Sequence, residues 1–179
     1  MKRIIHIDSI KNKYIKQINE IFISSFPIEE RYIDVNDMIK KKNTNLYSLI
    51  EDNKAIGMIY LIEHRDMIFI LYIAVDSNIR SEGNGSFILN WCLNEYKSKK
   101  IFLNVDEVNI DFEDYKIRKK RLEFYLKNGF YLTEYISKED TQNFNILANT
   151  NYINVNEYIE LDKIVAEILD EPISIIEKI

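Results

Sequence analysis

An apolar run from Ile68 to Val75 leads into Arg80-Ser81-Glu82-Gly83-Asn84-Gly85-Ser86. A second apolar series, Ile88, Leu89, Trp91, Cys92, Leu93 and Tyr96, follows at helical spacing. This order of strand, loop and helix constrains the chain more than any other feature. Two glycines two apart let backbone N–H groups approach an anion with no Cβ in the way, and the free N–H groups of a helix start face the same point. The loop suits a phosphorylated ligand such as a cofactor pyrophosphate; a plain turn before a helix is the other reading of the same residues.

Downstream, Arg121-Leu122-Glu123-Phe124-Tyr125-Leu126-Lys127-Asn128-Gly129-Phe130 reads as the end of a charged amphipathic helix, an Asn-Gly stop and the start of a strand. Gly129 suits the left-handed position that closes a helix. Tyr125 falls in the last turn, where its ring can pack while its hydroxyl projects from the helix end and donates a proton. As one of 12 tyrosines, it can equally be a core residue.

Together the two segments resemble the Gcn5-related N-acetyltransferase (GNAT) family, whose acyl-CoA loop reads Arg/Gln-x-x-Gly-x-Gly/Ala and whose later helix ends in Tyr-x-x-x-Gly-Phe. Ser25-Phe26-Pro27 with Glu30-Arg31 is similar to a bacterial subgroup of that family, and the resemblance covers about residues 1 to 150. It implies acetyl-CoA between the strand ending at Val75 and the strand from Ile101, with its pyrophosphate on Arg80, Ser81, Glu82, Gly83, Asn84, Gly85 and Ser86. Backbone N–H groups around Ile73, Ala74 and Val75 would hold the thioester carbonyl, since donors already aimed at developing charge need no reorganisation.

The resemblance further implies direct attack by a primary amine, without a covalent enzyme intermediate, and two proton transfers. Tyr125 is the candidate general acid for the departing thiolate. For the base, Glu107 after the fifth strand and Glu30 between the first two helices are the candidates; both also read as solvated charges. The histone-acetylating members carry a glutamate thirteen residues before the loop arginine, where this chain has Met67. Two further departures are Arg118, where many members place an asparagine against the pantetheine arm, and Arg121, where alanine is usual. Arg118 reads as a surface residue, or as a partner for a cofactor phosphate or an acidic neighbour.

The expected function is transfer of an acetyl group from acetyl-CoA to an amine in a ternary complex. The amine belongs to a small molecule, a cationic one such as a polyamine or aminoglycoside, or to a protein. The alternative is a non-catalytic acyl-CoA-binding or interaction module with the same fold. A nucleotide-binding P-loop is disfavoured because no Lys-Ser/Thr pair follows the glycines.

Composition sets the outer limits. A chain of 179 residues, 46% apolar, with 4 Gly and 2 Pro, reads as one compact domain with short loops. That domain is an α/β (α+β) acyltransferase core over about residues 1–150 with a helical extension over 151–179. A net charge of −5 disfavours nucleic acid and anionic membrane as partners. The single Cys92 permits no disulfide framework and reads as a buried, inert thiol. His6 and His64 read as structural, and no metal constellation is present. No apolar run approaches the roughly 18 to 20 residues of a membrane span, and Met1 to His6 lacks a signal-peptide core, so the chain reads as cytoplasmic.

Period and turn signals predict a mixed, mostly antiparallel sheet flanked by helices. Strands are expected at Arg3–Ile7, Leu46–Ile50, Ala55–Ile62, Met67–Val75, Ile101–Val105, Phe130–Ile136 and Phe144–Ala148. Helices are expected through Tyr14 to Phe22, over Asp34 to Lys41, after the glycine loop, and before Gly129. The last of these would start with Asp111, Glu113 and Asp114 and continue through Lys116, Arg118, Lys119, Lys120 and Arg121, complementing its dipole. Gly57 marks a bulge or a close contact. Asn154 to Glu157 resembles a capping box ahead of an extra C-terminal helix, whose apolar stripe completes the core, covers the acceptor cleft or supports a homodimer.

Overall fold

A computed structural model describes residues 1–79, 82–139 and 142–179. In chain order the elements are β1 (Arg3–His6), α1 (Ile15–Ser25), a 3-10 turn at Ile28–Glu30, α2 (Val35–Lys40), β2 (Thr44–Glu51), β3 (Lys54–His64) and β4 (Met67–Val75). After a 3-10 turn at Ser77–Ile79 come α3 (Asn84–Glu95), β5 (Lys100–Asp106), α4 (Tyr115–Lys127), β6 (Tyr131–Glu139), β7 (Gln142–Ala148), α5 (Val155–Leu169) and β8 (Ile175–Lys178).

The strands form an eight-stranded sheet in the order β1-β2-β3-β4-β5-β7-β6-β8. Hairpins make most of it antiparallel, as the short turns require. Asp52 and Asn53, both at positive φ, close the β2–β3 turn with the backbone twist that two-residue hairpins favour. The connection through α3 makes β4 and β5 parallel, with the pairs Met67↔Lys100, Ile68↔Ile101 and Phe69↔Phe102.

The chain groups into two compact units, Met1–Glu63 with Ile70–Lys97, and His64–Phe69 with Ser98–Ile179. In the first, β3 is buried over eight consecutive residues, Ala55 to Ile62, the signature of a strand covered on both faces. Its buried apolar helix positions are Ile18, Ile21 and Phe22 of α1, Val35 and Met38 of α2, and Ile88, Leu89 and Cys92 of α3. Gly57 fulfils both of its expected roles. The register passes from Leu49↔Gly57 to Ile50↔Ala55, leaving Ile56 as a bulge. A Cβ on Gly57 would also lie 2.8 Å from Ile88 Cδ1 and 3.0 Å from the Ala74 carbonyl oxygen.

In the second unit, β5 and β7 pair from Phe102↔Ala148 to Asp106↔Phe144. Tyr158, Leu161, Val165 and Ala166 bury the apolar face of α5, so its stripe belongs to the core. The Tyr158 ring meets Phe102 edge to face at 5.4 Å, and its hydroxyl donates to Asn104 Oδ1 at 2.9 Å. Asn154 caps α5 by accepting from the Asn156 N–H at 3.1 Å.

Two expectations need correction. The C-terminal extension is not helical throughout. After α5 the chain returns as β8 and pairs antiparallel with β6, while the buried Asp162 accepts from both the N–H and the hydroxyl of Ser174 at 3.0 Å. Nor do Asp111 and Glu113 belong to α4, which starts at Tyr115 with Asp114 as its N-cap. Asn109 instead holds the preceding turn, accepting from the Asp111 N–H at 3.1 Å. Among the described residues, no helix is long and apolar enough to cross a membrane, and no group of His, Cys, Asp and Glu could hold a metal.

Candidate active site

The glycine loop opens α3 as its sequence requires. Gly83 is the N-cap, at φ 77°, and a Cβ built there meets nothing within 4 Å. Glycine is therefore needed for the left-handed backbone and not for crowding. The first bond of the helix ladder runs from the Phe87 N–H to the Gly83 carbonyl at 2.9 Å. The amides of Asn84, Gly85 and Ser86 precede it and have no helical partner. No acidic side chain stands in that first turn. Open space, a left-handed glycine and three forward amides fit an anionic group.

The other residues assigned to the loop divide. Asn84 is buried; its Nδ2 donates to the Ile79 carbonyl at 3.3 Å, and its Oδ1 has no partner among the described residues. Its side chain thus braces the loop from within. Glu82 is exposed, and Arg80 and Ser81 lie outside the described residues. At the end of β4, Ile73 and Val75 are half-buried and Ala74 is buried, all beyond the last pair of the β4–β5 ladder, Phe69↔Phe102.

At the end of α4, Asn128 is the C-cap and Gly129 follows at φ 87°. The Phe130 N–H donates back to the Tyr125 carbonyl at 3.2 Å, and the Tyr125 ring packs edge to face on Phe124 at 5.2 Å and Phe130 at 6.1 Å. This six-residue closure, with an apolar contact across it, is how a left-handed glycine ends a helix. The Tyr125 hydroxyl makes no hydrogen bond among the described residues. Burial pushes it up to about 12, against the pull of the Arg121 cation, and the Asp106 carboxylate adds to the rise.

The carboxylates are placed very differently. Glu107, just past β5, accepts from Asn143 Nδ2 at 3.1 Å, and its backbone carbonyl accepts from Arg118 Nη1 at 3.2 Å. Glu30 is exposed on the 3-10 turn after α1, with its carbonyl accepting from the Tyr72 hydroxyl at 2.7 Å. Arg118 takes the acidic-neighbour reading: its Nε bonds Asp114 at 2.7 Å, and its guanidinium lies 4.5 Å over the Phe112 ring. The Met67 side chain, 1% exposed, is core.

One carboxylate escaped the sequence reading. Asp106 closes β5 with its side chain 15% exposed, and its Oδ2 accepts from Arg121 Nη1 at 2.6 Å. The α4 spacing of Arg121 and Tyr125, one helical turn apart, was the available signal. The His6 ring lies 5.0 Å from that of Tyr47 in the first unit, tilted by 40°, in keeping with a structural role.

The profile of the Acetyltransferase (GNAT) family matches residues 13–130. This chain belongs to the GNAT family. The matched span holds both the glycine loop and the Tyr125-to-Phe130 helix end. A GNAT-family protein from Bacteroides thetaiotaomicron superposes with a TM-score of 0.74 at 20% identity, covering 93% of this chain and 97% of that one. An aminoglycoside 6′-N-acetyltransferase complexed with coenzyme A gives 0.65 at 15% identity over 85% and 99% of the two chains. The ribosomal-protein-S18-alanine N-acetyltransferase from Escherichia coli gives 0.61 at 16% identity over 87% and 98%. At such identities the likeness is one of GNAT fold. Among curated proteins none matches.

Proposed function

We propose that residues 1–179 act as a single N-acetyltransferase domain that moves an acetyl group from acetyl-CoA to a primary amine by direct attack in a ternary complex. The observation that carries this reading is the Tyr125 hydroxyl at the closed end of α4, unengaged in hydrogen bonding among the described residues, in a chain of the GNAT family. When bound, acetyl-CoA supplies an acetyl group activated as a thioester.

The chain's own residues do the rest. The amides of Asn84, Gly85 and Ser86, with Gly83 left-handed before them, bind the pyrophosphate, joined by Arg80, Ser81 and Glu82 of the same loop. The amides around Ile73 to Val75 hold the thioester carbonyl and receive the negative charge that develops on its oxygen. A carboxylate, Glu107 or Glu30, takes the proton from the acceptor ammonium, which is not a nucleophile until it loses it. Tyr125 returns a proton to the departing sulfur. A hydroxyl pushed up to about 12 is fully protonated at neutral pH, the state a donor needs.

Relatives named for an aminoglycoside and for a ribosomal-protein alanine place both small-molecule and protein-borne amines in the test panel. The experiment is acetyl transfer with CoA release monitored across that panel, with calorimetry for CoA and acetyl-CoA. Transfer to at least one amine is expected, together with a loss of kcat of about 10² or more in Tyr125→Phe at unchanged CoA affinity. Full turnover in that variant removes Tyr125 from the mechanism.

The second reading, an acyl-CoA-binding module without turnover, is favoured by Met67, buried where histone-acetylating members carry a glutamate. Tight binding of CoA with transfer to no amine would select it.

A further inference from the structure

Tyr72 lies in β4, immediately before the Ile73-to-Val75 segment, and is 3% exposed. Its ring packs against Phe22 edge to face at 5.0 Å, Phe26 at 4.8 Å and Tyr60 at 6.4 Å. Its hydroxyl bridges two backbone groups forty residues earlier, donating to the Glu30 carbonyl at 2.7 Å and accepting from the Tyr32 N–H at 2.9 Å. Both groups sit in the connector between α1 and α2, where no helix ladder serves Tyr32.

The residue between them pins the connector from the other side. Arg31 folds back so that Nε donates to the Phe26 carbonyl at 2.7 Å and Nη2 to the Ile23 carbonyl at 2.9 Å. Those carbonyls belong to the last turn of α1 and its C-cap, which have no ladder donors of their own. The 3-10 turn Ile28–Glu30 is thereby fastened to α1 through Arg31 and to β4 through Tyr72. Glu29 and Glu30 stand exposed on it. A phenol and one hydrogen bond separate that turn from the strand whose next three residues are proposed to hold the thioester carbonyl.

We propose that Tyr72 is a positioning residue for the acceptor amine, fixing the Glu30–Tyr32 backbone at a set distance from the Ile73-to-Val75 amides. The inference rests on the acetyl-transfer reading, in which an amine must reach that carbonyl. An amine drawn by the carboxylates on a fastened turn arrives at a fixed reach from the strand; on a loosened turn it does not. In that reading CoA is held by the Ile73-to-Val75 amides and the glycine loop, while the Tyr72 hydroxyl bonds only Glu30 and Tyr32 among the described residues, so cofactor binding should be unchanged by its loss.

Tyr72→Phe keeps the ring and its three aromatic contacts and removes both hydrogen bonds. With the best amine of the panel, the acceptor KM should rise about tenfold, the worth of one good hydrogen bond. The KM for acetyl-CoA and the calorimetric affinity for CoA should stay within about twofold. Hydrogen exchange at the Tyr32 amide should accelerate in the same variant. Arg31→Gln, which loosens the turn from its solvent side, should give the same split between the two KM values. Wild-type turnover with an unchanged acceptor KM in Tyr72→Phe, or with both KM values rising together, overturns the inference alone. Wild-type protein that binds CoA and acetylates no amine overturns the acetyl-transfer reading, and the inference falls with it.

Discussion

The backbone N–H of Phe130 donates to the carbonyl of Tyr125 at 3.2 Å, while their rings meet edge to face with centroids 6.1 Å apart. The hydrogen bond and the apolar contact both depend on Gly129 at φ 87°. Gly129→Ala should cost about 1 kcal/mol through the left-handed penalty, read as a lowered urea midpoint. It should also lower kcat, because the turn that orients Tyr125 is the turn being strained.

Tyr125 should ionise late. Its hydroxyl, pushed up to about 12 from an ordinary 10, binds its proton more tightly folded than unfolded. Its contribution to stability is therefore complete below pH 10 and is lost as pH rises from there through about 12. Ultraviolet titration of wild type minus Tyr125→Phe should show one phenol titrating near the top of that window. Tyr125 is half-buried as a whole residue, and a difference midpoint at or below 10 would show that desolvation does not raise its hydroxyl.

Gly57 lies in close contact with Ile88 of α3. Gly57→Ala places a methyl 2.8 Å from Ile88 Cδ1 and 3.0 Å from the Ala74 carbonyl, and overpacking of this kind costs about 1–3 kcal/mol. Ile88→Val removes one of the two clashing atoms, so the double variant should recover part of the loss and the mutant cycle should be non-additive. Additive thermal shifts would show that the contact is softer than drawn.

Cys92 is fully buried, and desolvation pushes its thiol up to about 12. At pH 8 it stays protonated and shielded. Alkylation by iodoacetamide, followed by mass spectrometry, should be more than about a hundredfold slower in native protein than after unfolding.

How much of this could be read beforehand depends on the range of the forces involved. The extent of β4, Met67–Val75, was legible to the residue, because an apolar run bounded by turn signals leaves little choice. The closing of α4 at Asn128-Gly129 was legible for the same reason. β8 was not: Ile175–Lys178 is four residues long and becomes a strand by pairing with β6, a partner forty residues away. Asp111 and Glu113 looked helical because charge ordering was judged without the Asn109 turn that delays the start. In the candidate site, the Asp106–Arg121 pair and the Glu107–Asn143 bond join separate elements, and the bridge from Tyr72 to Glu30 and Tyr32 spans forty positions. Side-chain pairing at such separations leaves no periodic trace in a single sequence.

The two borders of the sheet, β1 and β8, are each four residues long. At the β8 border, Lys138 bonds Glu177 at 2.6 Å and Lys178 bonds Glu134 at 3.0 Å, so charge lines the margin where a foreign strand would have to zip on. Short, ion-studded margins are how natural sheets resist runaway growth. If copies of this chain do associate, helix faces and loops are better placed than sheet continuation to bring them together.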